Sequence, residues 1–403
     1  MARRHRREQG VGRRRSPESL RMEPLRVLHV FSRMQHGGAE LRTLDVMEYL
    51  AAQGAPVRMD FCALSGEPGA LEDRVRELGG RVFHLSIRRR GFAGRFRRLL
   101  GQERFDVVHS HIHYASGVIL RIAESCAIAE RVAHFRSSKD GAGNTLWRRG
   151  YRALMRWLID RNATSIVAVS RYVMETSWSR KWRRDPRCRV IYNGLNTERF
   201  MRVDRREAET LRRDWGIPTE AKLWIHVGAG RPPKNHGRLL QIFREVAERD
   251  GAAHLVLVGD LGPIERELHS QAASLGIDDR VVFAGCRDDV PTCLAAADGM
   301  IFPSLWEGMP GAVLEAAAAG IPVVASDLPG IREIAEHVSG VRCLSLDESD
   351  AVWAETIVSI QPSGESARRR ASASFAAGPF CIARCAEEML AVWTGVCKQR
   401  KAA

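Results

Sequence analysis

The sequence predicts an α/β protein made of two doubly wound, parallel-sheet domains in tandem, facing a central cleft. Three observations predict it. Short β-branched and apolar segments alternate with segments of helical periodicity. That alternation breaks over a polar, charged stretch, 193–222, and then restarts. The chain has 403 residues, too many for one core. Two such domains leave a cleft between the C-terminal edges of their strands, where open α/β sheets bind ligands.

Residues 26–31, RVLHVF, read as the first strand. The loop SRMQHGGAE leads into a helix with apolar positions Leu41, Leu44, Met47 and Leu50. Further strands are expected at 57–64, 81–85, 107–111, 132–135, 166–170 and 190–192, most of them separated by helices. Asn193-Gly194 gives a turn signal at the boundary. The second half opens with a strand at 223–227 and a helix from His236. The strand HLVLVGD, a helix through Leu275, the strand VVFAG, a short helix, the strand MIFPS, a helix carrying Glu315 and the strand IPVVAS follow. A last helix over 380–398 presents Cys381, Ala386, Met389, Leu390 and Trp393. The division is an arm at 1–24, a first domain at 25–205, a second at 206–378, and a C-terminal helix, 379–403, placed to pack back on the first domain.

The arm is basic. Its eight arginines and three glutamates give +5 of a net charge of +14. It has few large apolar residues and is expected to be disordered; Met22, just before the first strand, is an alternative start. The remaining excess suits an anionic surface or substrate. The arm lacks interleaved aromatics and no recognition motif appears, so no nucleic-acid partner is expected. No apolar stretch is long enough for a spanning helix and no secretory signal is visible. Nine cysteines, an odd number without a C-x-x-C pair, argue for reduced thiols in a cytoplasmic protein and against a zinc site. Cys381 and Cys385, one helical turn apart, are read as packing.

Residues 304–327, SLWEGMPGAVLEAAAAGIPVVASD, carry the chemistry. Glu307 precedes a Gly/Pro turn, and Pro310 suits a first helical turn because it needs no N–H there. The run AVLEAAAA has high helix propensity and places Glu315 about two turns in. Both carboxylates then face one cleft, and the free N–H groups of Gly311, Ala312 and Val313 point into it, as a phosphate site requires. Two carboxylates beside an anion-binding helix end suit a ligand with hydroxyls and a phosphate: a sugar nucleotide.

These residues and their flanks, over 281–333, resemble the donor domain of retaining glycosyltransferases of the GT-B fold, family 4 (group 1), whose two domains are Rossmann-like. The E-x7-E pattern, the apolar strand before it and AGIPVVAS after it carry the resemblance; HGGAE, DVVHSH, SIVAVS and VIYNGLN extend it more loosely into the first half. It implies that Glu315 binds the nucleotide ribose and Glu307 the donor sugar. Gly308, Met309, Gly311 and Ala312 would present backbone to sugar and diphosphate, and Gly37 and Gly38 would close over the diphosphate. His111 would stand near the transferred sugar on the acceptor side, with His113 the next choice and His109 the third histidine. Base and sugar preference would rest around Gly285, Arg287 and Met309. The family pattern V-G-R-x4-K reads VGAGRPPK here. Lys234 falls on the lysine position, but Ala229 stands where the arginine belongs; Arg231 is the nearest replacement.

The implied reaction is transfer of a hexosyl group from a nucleoside-diphosphate sugar, UDP or GDP rather than ADP, with retention, in cell-envelope polysaccharide or glycolipid synthesis. It needs no cofactor or metal: no strand-flanked D-x-D motif appears, and cations and N–H dipoles meet the leaving charge. Glu307, His111 and Lys234 are the catalytic candidates. The alternative is a sugar-nucleotide epimerase on the same architecture. Arg148, Arg149, Arg152 and Arg156 share one helix with Trp147, Leu154, Met155, Trp157 and Leu158, and a second basic-aromatic group, Trp178, Lys181, Trp182, Arg183 and Arg184, follows. These suggest a glycan or lipid-linked acceptor and a peripheral site on the inner face of the plasma membrane.

Overall fold

The computed structural model describes residues 23–138, 140 and 143–395. The first domain runs β1 (Leu25–Phe31), α1 (Gly38–Ala52), β2 (Val57–Ala63), α2 (Glu72–Glu77), β3 (Val82–His84), α3 (Phe92–Glu103), β4 (Val107–Ser110), α4 (Ser116–Ser125), β5 (Glu130–Phe135), α5 (Leu146–Asn162), β6 (Ser165–Ala168), α6 (Arg171–Val173) and β7 (Cys188–Val190). A connecting segment holds α7 (Glu198–Met201) and α8 (Arg205–Asp214). The second domain runs β8 (Leu223–Val227), α9 (His236–Arg249), β9 (His254–Val258), α10 (Glu265–Ser274), β10 (Val281–Gly285), α11 (Val290–Ala296), β11 (Gly299–Phe302), α12 (Gly311–Ala318), β12 (Val323–Ser326), α13 (Pro329–Ala335), β13 (Val341–Leu344), α14 (Asp350–Val358) and α15 (Glu365–Ala376). The last helix is α16 (Ile382–Trp393).

Each half is one parallel sheet. The orders are β3-β2-β1-β4-β5-β6-β7 and β10-β9-β8-β11-β12-β13. In both, the strand order reverses beside the first strand of the domain, between β1 and β4 and between β8 and β11. Loops leaving those four strands diverge and open a crevice. The central strands are buried on both faces and read as continuous apolar runs, as in β8, LWIHV, and β9, HLVLV.

Three elements differ from the sequence reading. The strand expected at 190–192 is β7, two residues earlier, with Ile191 and Tyr192 already past it. Short β13, VRCL, half exposed, extends the second sheet beyond IPVVAS. Asn193-Gly194 is no solvent turn: Asn193 is buried, and a Cβ on Gly194 would lie 2.5 Å from Cβ of Cys385 on α16. The arm and the expected end of the last helix at Lys398 lie outside the described residues.

The chain crosses back after α15. Leu195 donates its N–H to the Phe380 carbonyl at 2.9 Å, and Ile382 donates to the Leu195 carbonyl at 3.1 Å. α16 then lies on α1 in the first domain, burying Ile382, Cys385, Ala386, Met389, Val392 and Trp393. Trp393 fixes this packing twice: its ring is buried, and its Nε1–H donates to Nδ1 of His109 at 2.9 Å. Trp393→Ala is expected to cost about 3–5 kcal/mol through the lost ring. Trp393→Phe keeps most of the volume and costs about 1–3 kcal/mol for the unpaired histidine nitrogen. Urea unfolding of the two variants checks the order.

Candidate active site

The four loops at the strand reversals supply the site. After β8 the backbone turns tightly through Gly228, where a Cβ would meet His226 Nε2 and Lys234 Cδ, both at 3.1 Å. This turn brings Lys234 back over the sheet end. Its Nζ lies 4.6 Å from the centroid of Phe302, the last residue of β11, and donates to Oε1 of Glu307 at 2.8 Å. Glu307 follows β11, and α12 begins four residues later with Pro310 as its N-cap and no side-chain cap. The first N–H groups of α12 are thus left to a ligand or water. Glu315 lies in the second turn of α12, closer to its start than the two full turns expected. The Lys234 charge acts on Glu315 as well as pairing with Glu307, so the two carboxylates and the lysine form one group.

Gly308 is where the domains touch. A Cβ there would lie 2.8 Å from the Arg136 carbonyl oxygen at the end of β5, and its own carbonyl accepts from Ser170 Oγ at 3.3 Å. The carbonyl of Gly308 also sits where a Cβ on Gly330 would go. Met309 is buried. Beyond this contact, Glu333 of α13 accepts from the Arg171 backbone at 2.9 Å and from the Tyr192 hydroxyl at 2.8 Å.

Across the cleft, α1 starts at Gly38, with Gly37 as an extended N-cap that carries no side chain. The Glu40 carboxylate folds back over Gly37. Burial raises its pKa, and the charges of Arg136 and Arg231 pull it down. Arg231 is exposed, and its charge reaches from the second domain to the start of α1. Gly285 adopts a left-handed φ of 66° and its carbonyl accepts from Gly259 at 2.8 Å. Arg287 is held by Asp289 at 2.7 and 2.6 Å, with its guanidinium 5.9 Å from the Trp215 ring centre. Neither shares a hydrogen bond or ion pair with the Lys234–Glu307 pair among the described residues.

Two cationic residues at the site were not found by sequence reasoning. Arg42, on α1, donates to Oε1 of Glu315 at 3.0 Å across the domains. Arg136, just past β5, is half-buried and donates to Asn193 Oδ1 at 2.9 Å, Thr43 Oγ1 at 3.1 Å and His111 Nδ1 at 3.3 Å. Burial lowers its pKa to about 10, so it stays charged at neutral pH. Its only sequence signal is an arginine directly after a strand, HFRSS.

His111, at the end of β4, belongs to a ladder of four buried histidines, His29, His109, His111 and His134. Two obligate donors set the tautomers. Trp393 donates to Nδ1 of His109, so the His109 proton is on Nε2, which meets Nδ1 of His134 at 3.0 Å. Arg136 donates to Nδ1 of His111, whose Nε2 then donates to Nδ1 of His29 at 3.0 Å. Each chain ends on an Nε2–H with no partner, on His134 and on His29. The nitrogens of His29, His109 and His111 lie within 4.8 Å of one another, but those that meet a neighbour are already hydrogen-bonded. Both ring nitrogens of His111 are engaged inside the first domain. His113, in a left-handed conformation with φ 54°, bonds the Ser137 carbonyl through Nε2 at 3.2 Å, and its Nδ1 has no partner.

Two parallel-sheet domains joined at Gly308, with carboxylates, cations and two uncapped helix starts between them, define a GT-B transferase. The first domain matches the family model described as Glycosyltransferase Family 4 over residues 36–199, and the second matches Glycosyl transferases group 1 over residues 221–361. EpsF of Bacillus subtilis (strain 168), itself a glycosyltransferase by assignment, is 30% identical over 85% of this chain and 89% of its own. The capsular polysaccharide biosynthesis glycosyltransferase CapH of Staphylococcus aureus is 28% identical over 83% of this chain and 90% of its own. The crystal structure of Anabaena HepE in complex with UDP-glucose shares the fold, with a TM-score of 0.76 and 20% identity over 92% of this chain and 100% of that one. The chain belongs to glycosyltransferase family 4, and it is a glycosyltransferase. None of these relatives is an epimerase.

The histidine ladder makes the fold acid-labile. Burial first, then the Arg136 charge, lowers the His29 pKa to about 3, and His109, His111 and His134 are likewise held well below 6.5. A lowered folded pKa gives stability that is complete above the unfolded value near 6.5 and is lost as pH falls toward the folded one. At pH 5 a buried neutral histidine costs about 2 kcal/mol relative to pH 7. Urea midpoints are expected to fall steeply below about pH 6, and His134→Phe is expected to flatten that slope.

Proposed function

We propose that the protein moves a hexosyl group from UDP- or GDP-sugar, rather than ADP-sugar, to a glycan or lipid-linked acceptor, with retention and without a metal ion. The Lys234–Glu307 pair at 2.8 Å, beside Glu315 and the open start of α12, carries this reading. HepE was crystallised with UDP-glucose, which favours uridine. CapH acts in capsular polysaccharide biosynthesis, which favours a cell-envelope product. Glu315 receives the ribose hydroxyls and Glu307 those of the sugar. Lys234, released from Glu307, meets the charge that grows on the diphosphate, with Arg231 in place of the arginine missing at Ala229. The starts of α1 and α12 add N–H dipoles. The bond from the anomeric carbon to the phosphate oxygen breaks while the acceptor oxygen bonds on the same face. The leaving phosphate takes the acceptor proton, so no protein nucleophile is needed. His111 or His113 lines the acceptor side.

The acceptor reading rests on α5. Its outward face carries Leu146, Trp147, Leu154 and Trp157, four of the seven large apolar side chains exposed among the described residues. Of the apolar residues expected on this helix, Met155 and Leu158 are instead buried in the first domain. Arg152 is bound to Asp140 and Arg156 to the Trp178 carbonyl, so the apolar stripe points to solvent, with Arg148, Arg149 and Arg161 around it. Of the second basic-aromatic group, Trp178 is buried and Trp182 half-buried under Arg183. Exposed tryptophans ringed by arginine fit an anionic bilayer surface. No helix among the described residues is long and apolar enough to cross a membrane. The reading is thus peripheral, on the cytoplasmic face.

Lys234→Ala is expected to lower kcat roughly 10²–10³-fold and Glu307→Gln comparably. EDTA is expected to leave the wild-type rate unchanged, and NMR to show the product with the donor's anomeric configuration. Strict Mg²⁺ dependence or an inverted product would refute the mechanism. Vesicles of phosphatidylglycerol are expected to retain the wild type in flotation and to lose the Trp147→Asp/Trp157→Asp variant, whose fold is checked by its unchanged melting temperature.

A further inference from the structure

We propose that Arg42 makes the ribose site a composite of both domains: carried on α1, it holds one oxygen of Glu315 so that the other meets a ribose hydroxyl only when the domains are closed. The inference rests on the reading of Glu315 as the ribose ligand and assigns Arg42 as its positioning residue.

The contact joins residues 273 apart in sequence and on opposite sides of the cleft. It is not an ordinary surface pair, because the side chains are only 10% and 18% exposed. It is also single: one guanidinium nitrogen meets Oε1, and Oε2 is left to accept from another donor. Arg42 has a countercharge behind it. Asp45, one turn on, lies 3.2 Å from its other nitrogen as an ion pair, without a hydrogen bond between them. Asp45 is in turn held by Arg74 of α2 at 3.4 Å and by Arg199 of α7 at 3.2 Å, and both arginines also pair with Glu48. Because α7 lies in the segment joining the domains, the guanidinium is aimed by the same link that sets their relative position. A side chain with a carboxylate on each side and little exposure is placed to support Glu315 while ligand binds.

The charge balance agrees. Glu315 is faced by Arg42 and Asp45 from α1, Arg199 from α7 and Lys234 from the turn before α9. Burial favours its protonated form, and Arg42 is the largest influence opposing that. Without Arg42 the carboxyl takes up a proton nearer neutrality and loses an acceptor oxygen for the ribose. The loss is then greatest in acid and recovers as pH rises.

The test uses calorimetric titration of the full chain with UDP and with 2′,3′-dideoxy-UDP between about pH 6 and pH 9, with the GDP pair run alongside. The wild type is expected to prefer the ribose form at every pH. Arg42→Ala is expected to bind UDP roughly tenfold more weakly near pH 6, to regain much of that by pH 9, and to bind the dideoxy form as the wild type does. Arg42→Lys is expected to restore part of the preference. Arg42→Ala binding UDP as tightly as the wild type or tighter would overturn the proposal, since the pair would then be inert or a latch that competes with ligand. An equal loss for both ligands at all pH values would overturn it as well, since the role would then be structural. Glu315→Gln separates the premise from the inference: if it leaves the ribose preference intact, the assignment of Glu315 fails and not only that of Arg42.

Discussion

Two carboxylates of one short motif lie little exposed in the cleft, and each meets a cation. The cations come from different places. Lys234 reaches Glu307 from within the second domain, and Arg42 reaches Glu315 from the first. The first pair is present whatever the domains do. The second exists only when α1 stands over α12. The two glutamates of one short motif therefore differ in kind: Glu307 is supported locally, Glu315 by closure.

The rest of the structure holds α1 in that place. Gly308 lets the Arg136 carbonyl approach as no other residue would, and Glu333 gathers Arg171 and Tyr192 beside it. α16 returns from the second domain to cover the opposite side of α1. Under it, Trp393 and Arg136 donate into the middle of the histidine ladder, at His109 and His111. The ladder's neutrality has a clear cause. Every member is buried, a fixed guanidinium lies next to it, and charging one ring would disfavour the others. So a helix from the end of the chain, four histidines from three strands and a half-buried arginine form one unit against α1.

Much of this was legible in the sequence because it rests on local pattern. Continuous apolar runs marked β1, β8 and β9, and the restart after residue 222 marked the second sheet. The spacing of Glu307 and Glu315 placed one on a loop and one on a helix. β13 was missed because VRCL is a short edge strand with an arginine in it and lacks the buried-strand signature. Asn193-Gly194 misled for a related reason: glycine there serves close approach of α16, which resembles a turn signal in one dimension. Arg42 and Arg136 carry no local signature at all. An arginine on an amphipathic helix reads as a solvent face, and only a partner 273 residues away shows otherwise. The arginines and tryptophans of α5 marked a surface helix, but periodicity finds two faces and does not say which apolar residues the fold covers, so Met155 and Leu158 group with the exposed stripe in the sequence.

The substitution at Ala229 acquires a meaning within this frame. An arginine there would bring a fixed charge to the turn that carries Lys234, inside the second domain. Here the charges near the glycine turn are Arg231, from the exposed part of that loop, and Arg136, from the far side of the cleft, with Glu40 between them. Glu40 folds over Gly37, where the diphosphate is expected, and the charges of both arginines reach it. Countercharge near the glycine turn is thus drawn from both domains, as is the support of Glu315 by Arg42. On the proposed reading, an arginine at position 229 would have supplied that countercharge from the second domain alone.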